Sequence, residues 1–220
     1  MSVASLCGKQ VDVVISGNTS FQGVLIEVGR DILVLFDGQR FIYIPLLHVH
    51  RINLSPLVKE GLSSPSEISL AKGIESISYR TILNNAKGLF VEVYVTGNIS
   101  LHGYVISVRN DYFIFYSPVY KTILISFHHL KWLIPYNFKT PPYTLSNEKF
   151  PVIPSQLSFL RSFEEQLKKW EGELVVFDMG ADPMKIGLVK KVSDTVIELV
   201  TANGQTVFLK ISHIKAAHLP

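Results

Sequence analysis

Apolar and polar residues alternate with a period of two over short runs along most of this chain, the pattern of half-buried β-strands. The runs fall into three registers. From Gly8, Gly88 and Gly172 a second glycine follows fifteen residues later, at Gly23, Gly103 and Gly187. An acid comes next, at Asp31, Asp111 and Asp194, then a stretch of β-branched and aromatic residues. A histidine closes each copy, at His48, His129 and His213, which lie 40, 41 and 41 residues after the first glycine. Self-similarity at a fixed spacing is the signature of a repeat architecture. In copy one it predicts strands at 10–16, 20–28, 32–36, 40–44 and 49–53.

Gly17-Asn18 and Gly97-Asn98 interrupt the alternation in copies one and two. Both residue types tolerate positive φ, which makes the pair a hairpin signal. Copy three reads as a different turn over 180–187. A glycine inside a strand, as at Gly23, weakens pairing but permits a sharp bend, so that a short sheet can curl on itself. The predicted fold is mainly β: three tandem Sm-like or SH3-like bent barrels of about five strands.

The joining segments have helical spacing instead. One carries Ile68, Leu70, Ile74, Ile77, Ile82 and Leu83 within 66–87, the other Leu157, Phe159, Leu160, Phe163, Leu167 and Trp170 within 156–170. Each predicts a short amphipathic helix, starting near Pro65 or Ser155 and closing at Gly88 or Gly172. Five prolines between Pro135 and Pro154 predict an extended linker. The organisation expected is repeat 1 over residues 1–56, a helical linker over 57–87 and repeat 2 over 88–136. A Pro-rich linker with a helix then covers 137–171, and repeat 3 covers 172–220.

Composition narrows the function. Hydrophobic residues make up 47% of the 220 and charged residues only 18%, with a mean hydropathy of +0.27. More apolar surface than usual needs covering, which favours self-association or a partner. The net charge of +3 is diffuse: residues 8–52 carry four charges of each sign and 172–215 five of each. Neither presents the basic footprint of a nucleic-acid binder. Cys7 is the single cysteine, so no intramolecular disulfide is expected. The first residues lack a basic start and an apolar run, and no apolar stretch reaches helix-spanning length. Synthesis in the cytoplasm without a signal peptide is expected.

No constellation of reactive side chains stands out. His48 and His50 lie two apart and share a strand face where a metal could bridge them, but two ligands do not close a site. The repeat position of His48, His129 and His213 favours a ring that bonds a backbone group at a strand end. Asp31, Asp111 and Asp194 sit in turn contexts where a carboxylate accepts nearby backbone N–H groups. No second acid converges on them, as a catalytic pair needs. Nucleophile elbows and phosphate loops are absent. The reading is therefore not an enzyme, with no catalytic, cofactor-binding or metal residue assigned and no cofactor.

Each copy ends in an apolar strand, a histidine, an aliphatic residue and a basic or polar group: His48-Val49-His50-Arg51, His129-Leu130-Lys131 and His213-Ile214-Lys215. In this the chain resembles the spore coat protein B family of spore-forming bacilli, here in a form without that family's Ser/Lys/Arg-rich tail. The family's Gly-Gly-Pro turn is echoed at Gly180 to Pro183. The resemblance implies a structural coat component, deposited in the spore coat, whose partners are itself and other coat proteins. Edge-to-edge pairing of barrels is the expected mechanism. The contact candidates are the copy-ending strands around Val49, Leu130 and Ile214, with the copy-two aromatics Phe90, Tyr94, Tyr104, Tyr112, Phe113, Phe115, Tyr116 and Tyr120. The alternative is an Sm-like protein binding RNA or another single strand at the inner barrel rims, with the copy-two aromatics available to stack on bases.

Overall fold

The computed structural model describes residues 2–56, 70–71, 77–96, 99–136, 142–145, 158–193 and 195–220. Asp194 and the Gly97-Asn98 turn lie outside them. The described strands comprise β1 (Gln10–Ile15), β2 (Thr19–Val28), β3 (Ile32–Phe36), β4 (Phe41–Pro45) and β5 (Val49–Leu54) in the first unit. The second unit has β6 (Phe90–Thr96), β7 (Ile99–Val108), β8 (Tyr112–Ser117), β9 (Lys121–Ser126) and β10 (Trp132–Pro135). The third has β11 (Leu174–Phe177), β12 (Ile186–Ser193), β13 (Val196–Thr201), β14 (Thr206–Lys210) and β15 (Ala216–His218). Helix α1 (Tyr79–Asn85) precedes the second unit and α2 (Phe163–Lys168) the third.

The strands form a single antiparallel sheet in the order β14-β13-β12-β11-β15-β9-β8-β7-β6-β10-β4-β3-β2-β1-β5. Each unit is thus a meander of four strands whose fifth strand returns beside the first. The alternation in the sequence places these elements within a residue or so, and β1 buries every second residue. Closed barrels were expected; the described pairings instead leave the sheet open, with β14 and β5 at its two ends. The cause is that a unit's fourth strand takes its second partner from the next unit.

Local geometry repeats with the sequence. Gly17 and Asn18 both have positive φ, at 89° and 56°, so the β1–β2 hairpin turns as the Gly-Asn pair predicts. Two residues beyond Gly23, Gly103 and Gly187 the long strand carries a bulge, between Leu25 and Glu27, Val105 and Ser107, and Val189 and Lys191. A bulge bends its strand and increases the twist. The glycines permit this bend, because a Cβ at each would collide with the carbonyl oxygen of Phe36, Tyr116 or Val200 across the sheet.

The expected helix starts near Pro65 and Ser155 lie outside the described residues; the described helices begin at Tyr79 and Phe163. Their N-caps are Ser78, which accepts from Thr81 N, and Ser162, which forms a capping box with Glu165. Apolar residues ahead of the caps, such as Ile77, are buried without being helical. The core runs across unit boundaries. Trp132 and Ile134 of β10 pack in the first unit's core with Val13, Leu35 and Ile42, while Tyr112, Ile114 and Leu124 pack with Phe177, Leu199 and Ala217 of the third.

Replacing Gly103 by Ala should lower stability by about 1–3 kcal/mol, the range for forcing atoms into a packed site. Urea unfolding followed by tryptophan fluorescence measures it as a lower midpoint at unchanged slope.

Candidate assembly interface

The units meet by strand pairing. Leu133 of β10 pairs with Tyr43 of β4, and Ala216 and Ala217 of β15 pair with Ile125 and Leu124 of β9. The register is the same at both joints. Leu133 and Ala217 each lie four residues after their unit's histidine, and their partners Tyr43 and Leu124 each lie five before the histidine of theirs. These joints are buried. β3 and β4 are buried at every position, as is β8, so their backbone groups need a neighbouring strand in place of water.

Aromatic packing anchors the first joint. Trp132 stacks on Tyr94 with ring centroids 3.9 Å apart and meets Phe21 edge-on at 5.1 Å. Beside it, Lys131 Nζ donates to the Ser16 carbonyl at 3.0 Å. Within the third unit, the joining strand β15 is held by Asp178, which the sequence reading passed over. This buried carboxylate accepts from the backbone of Lys215 and Ala216 at 2.7 and 3.2 Å and pairs with Lys185. An acid within an apolar strand run, at Val-Val-Phe-Asp, was the available signal.

Two of the repeated acids, Asp31 and Asp111, bond to backbone groups far from their own turns. Asp31 Oδ1 accepts the Tyr79 N–H at 2.6 Å and Asp111 Oδ1 accepts the Phe163 N–H at 2.9 Å. Tyr79 and Phe163 are the first residues of α1 and α2, whose N–H groups lack intrahelical acceptors. The residue before each acid repeats the pattern: Arg30 N donates to the Ile77 carbonyl and Asn110 N to the Arg161 carbonyl, at 3.0 and 3.1 Å. Each acid thus seats the helix that introduces the following unit.

One of the repeated histidines, His129, also reaches across. His48, His129 and His213 each end a 3-10 turn leading into the fifth strand. His129 Nε2 donates to the Ser212 carbonyl at 2.9 Å, bonding the next unit just ahead of its own histidine. His48 Nδ1 shares a hydrogen bond with Ser16 Oγ at 3.2 Å, while its Nε2 is buried without a hydrogen-bond partner. Burial holds the pKa of His48 below its ordinary value near 6.5, with Lys131, His129 and His50 adding to the effect and the His128 backbone opposing it. Burial also lowers that of His129, helped by Lys215 and His128 and opposed by the Ser212 carbonyl and Asp178. His50 is exposed on β5, and no group of three metal-ligating residues occurs among the described residues.

The other contact candidates divide. Leu130 and Ile214 are buried, as are Tyr112, Phe113, Phe115 and Tyr116; Val49, Phe90, Tyr94 and Tyr104 are half-buried, and Tyr120 is exposed. The exposed apolar residues on the free edges are different ones. Phe208 on β14 is 69% exposed, and Leu54 on β5 is 56% exposed. Among the described residues no helix is long and apolar enough to cross a membrane.

The chain is therefore a tandem array of three β-units joined edge to edge into one sheet. It is 52% identical to the uncharacterized protein YwrJ of Bacillus subtilis (strain 168) over 214 residues, which span 96% of this chain and 95% of the relative. Residues 162–217 match the family model for the YwrJ third domain. The chain belongs to the YwrJ family.

Asp111→Ala leaves the Phe163 N–H without its acceptor and should cost about 1–3 kcal/mol, read as a lower urea midpoint. The histidines predict a pH dependence of known sign. With folded pKa values below the unfolded value near 6.5, the unfolded chain binds more protons between the two. Stability is then fully present above about pH 6.5 and falls as pH drops through the folded values. Thermal melts between pH 8 and pH 5 should show this loss, and His48→Asn with His129→Asn should flatten it.

Proposed function

We propose that this protein is a non-enzymatic structural component that assembles by extending its sheet edge to edge, and that its place is the coat of a bacterial spore. The observation that carries the assembly reading is the pair of open edges: the chain joins its own units by strand addition, and the outermost edge exposes Phe208. Unpaired edge strands template further pairing unless blocked. Contacts that do not close on themselves grow into layers or fibres. Each unit is read here as a strongly bent, Sm-like module, with its sheet left open to admit the neighbour.

The coat assignment draws on the three histidine-centred repeat endings and on the YwrJ relative from Bacillus subtilis, a spore-former. The protein acts with copies of itself and with other coat proteins, after synthesis in the cytoplasm and deposition on the forming spore.

Size-exclusion chromatography with light scattering and dual-wavelength absorbance tests the assembly. The mass should climb above 24.7 kDa as the loading concentration rises, at a protein-like absorbance ratio. A constant mass carrying nucleic-acid absorbance that high salt removes would overturn this reading in favour of single-strand binding.

A further inference from the structure

The two free edges belong to the same strand types that pair inside the chain. The internal joints bring a unit's fifth strand against the fourth strand of the unit before it, at β10–β4 and β15–β9. Among the described residues, the outer edges left without a second partner strand are those of the fifth strand of unit 1, β5, and the fourth strand of unit 3, β14. Resting on the assembly reading above, we propose that β5 of one copy pairs antiparallel with β14 of another, in the register of the internal joints, with Ile52 opposite Phe208.

The register follows from the histidine offsets. Four residues after His48 is Ile52 and five before His213 is Phe208, the positions held by Leu133 and Tyr43 at one joint and by Ala217 and Leu124 at the other. Antiparallel pairing then sets Leu54 opposite Thr206. On the face of β14 that carries Phe208, side chains alternate with period two, so Ile52 and Leu54 converge on the exposed Phe208 ring. A second correspondence is independent of the strands. His129 bonds the Ser212 carbonyl, the residue before the next unit's histidine. The matching step carries His213, at the surface of unit 3, to the carbonyl of Leu47 in the next copy, and Leu47 is 66% exposed.

The joint is weaker than the internal ones. Arg51 and Asn53 stand where β10 has Trp132 and Ile134, so one of its faces is polar. Glu198, ion-paired to Lys190 at 2.8 Å, stands where the earlier units have Val34 and Ile114. The pairing is therefore reversible and concentration-dependent.

The test uses full-length chains in a Cys7→Ser background. A Leu54→Cys chain is mixed with a Thr206→Cys chain under mild oxidation, so that only intermolecular joining gives the mixed disulfide. The control mixes Leu54→Cys with Lys210→Cys, on the same face but about 13 Å out of register. The expected result is a 54–206 adduct in roughly tenfold excess over the control, since disulfides demand Cα atoms within about 7 Å. Phe208→Lys should abolish the rise of mass with concentration while the melting temperature stays unchanged. Oligomers that form without preferential 54–206 linkage would overturn this register and leave assembly standing. A monomer at every concentration, without the adduct, would overturn both.

Discussion

A fourth strand that is apolar on both faces cannot leave its outer backbone edge to water, and that constraint organises the molecule. β4 is buried along its whole length, and its outer N–H and C=O groups lie where water does not reach. A strand from the following unit supplies the missing partners. The unit therefore forgoes closing on itself, and three repeats become one sheet. The remaining junction chemistry serves that pairing. Asp31 and Asp111 seat the helices, His129 ties its turn to the next unit, and Trp132 fills the core of the unit it completes.

The third unit shows what happens where, among the described residues, no strand lies beyond the fourth. Its β13 buries alternate residues and its β14 is exposed or half-exposed throughout, unlike the fully buried β3, β4 and β8. Glu198 and Lys190 put charge on the face that an apolar neighbour covers elsewhere. Terminal repeats of solenoid proteins take on polar outer faces in the same way. Phe208 departs from that rule.

Much of the fold was legible because its signals are local. Period-two alternation located the strands, the Gly-Asn pair the first hairpin, and the recurrent glycine the bend. The joints were not legible in detail, because they depend on which edge a strand returns to, and no spacing encodes that. Asp31 and Asp111 looked like turn residues; only the fold shows their acceptors serving N–H groups 48 and 52 residues away. The caps of the described helices were legible only in part: Ser162 and Glu165 have the spacing of a capping box, which apolar periodicity alone does not single out. Exposed Phe208 and buried Phe113 look alike in sequence, since both sit among β-formers.

Completing each unit with a strand from the next has a consequence for the chain as it is made. The first unit's own strands end at Leu54, yet the residue that fills its core, Trp132, is synthesised almost eighty residues later. At ribosomal rates of about 5–20 residues per second, that interval lasts roughly 4–16 s. Throughout it the emerging polypeptide carries an apolar, unpaired strand edge in a crowded cell. The nascent first repeat is therefore a species that a chaperone, or a neighbouring nascent copy, meets before its own chain can cover it.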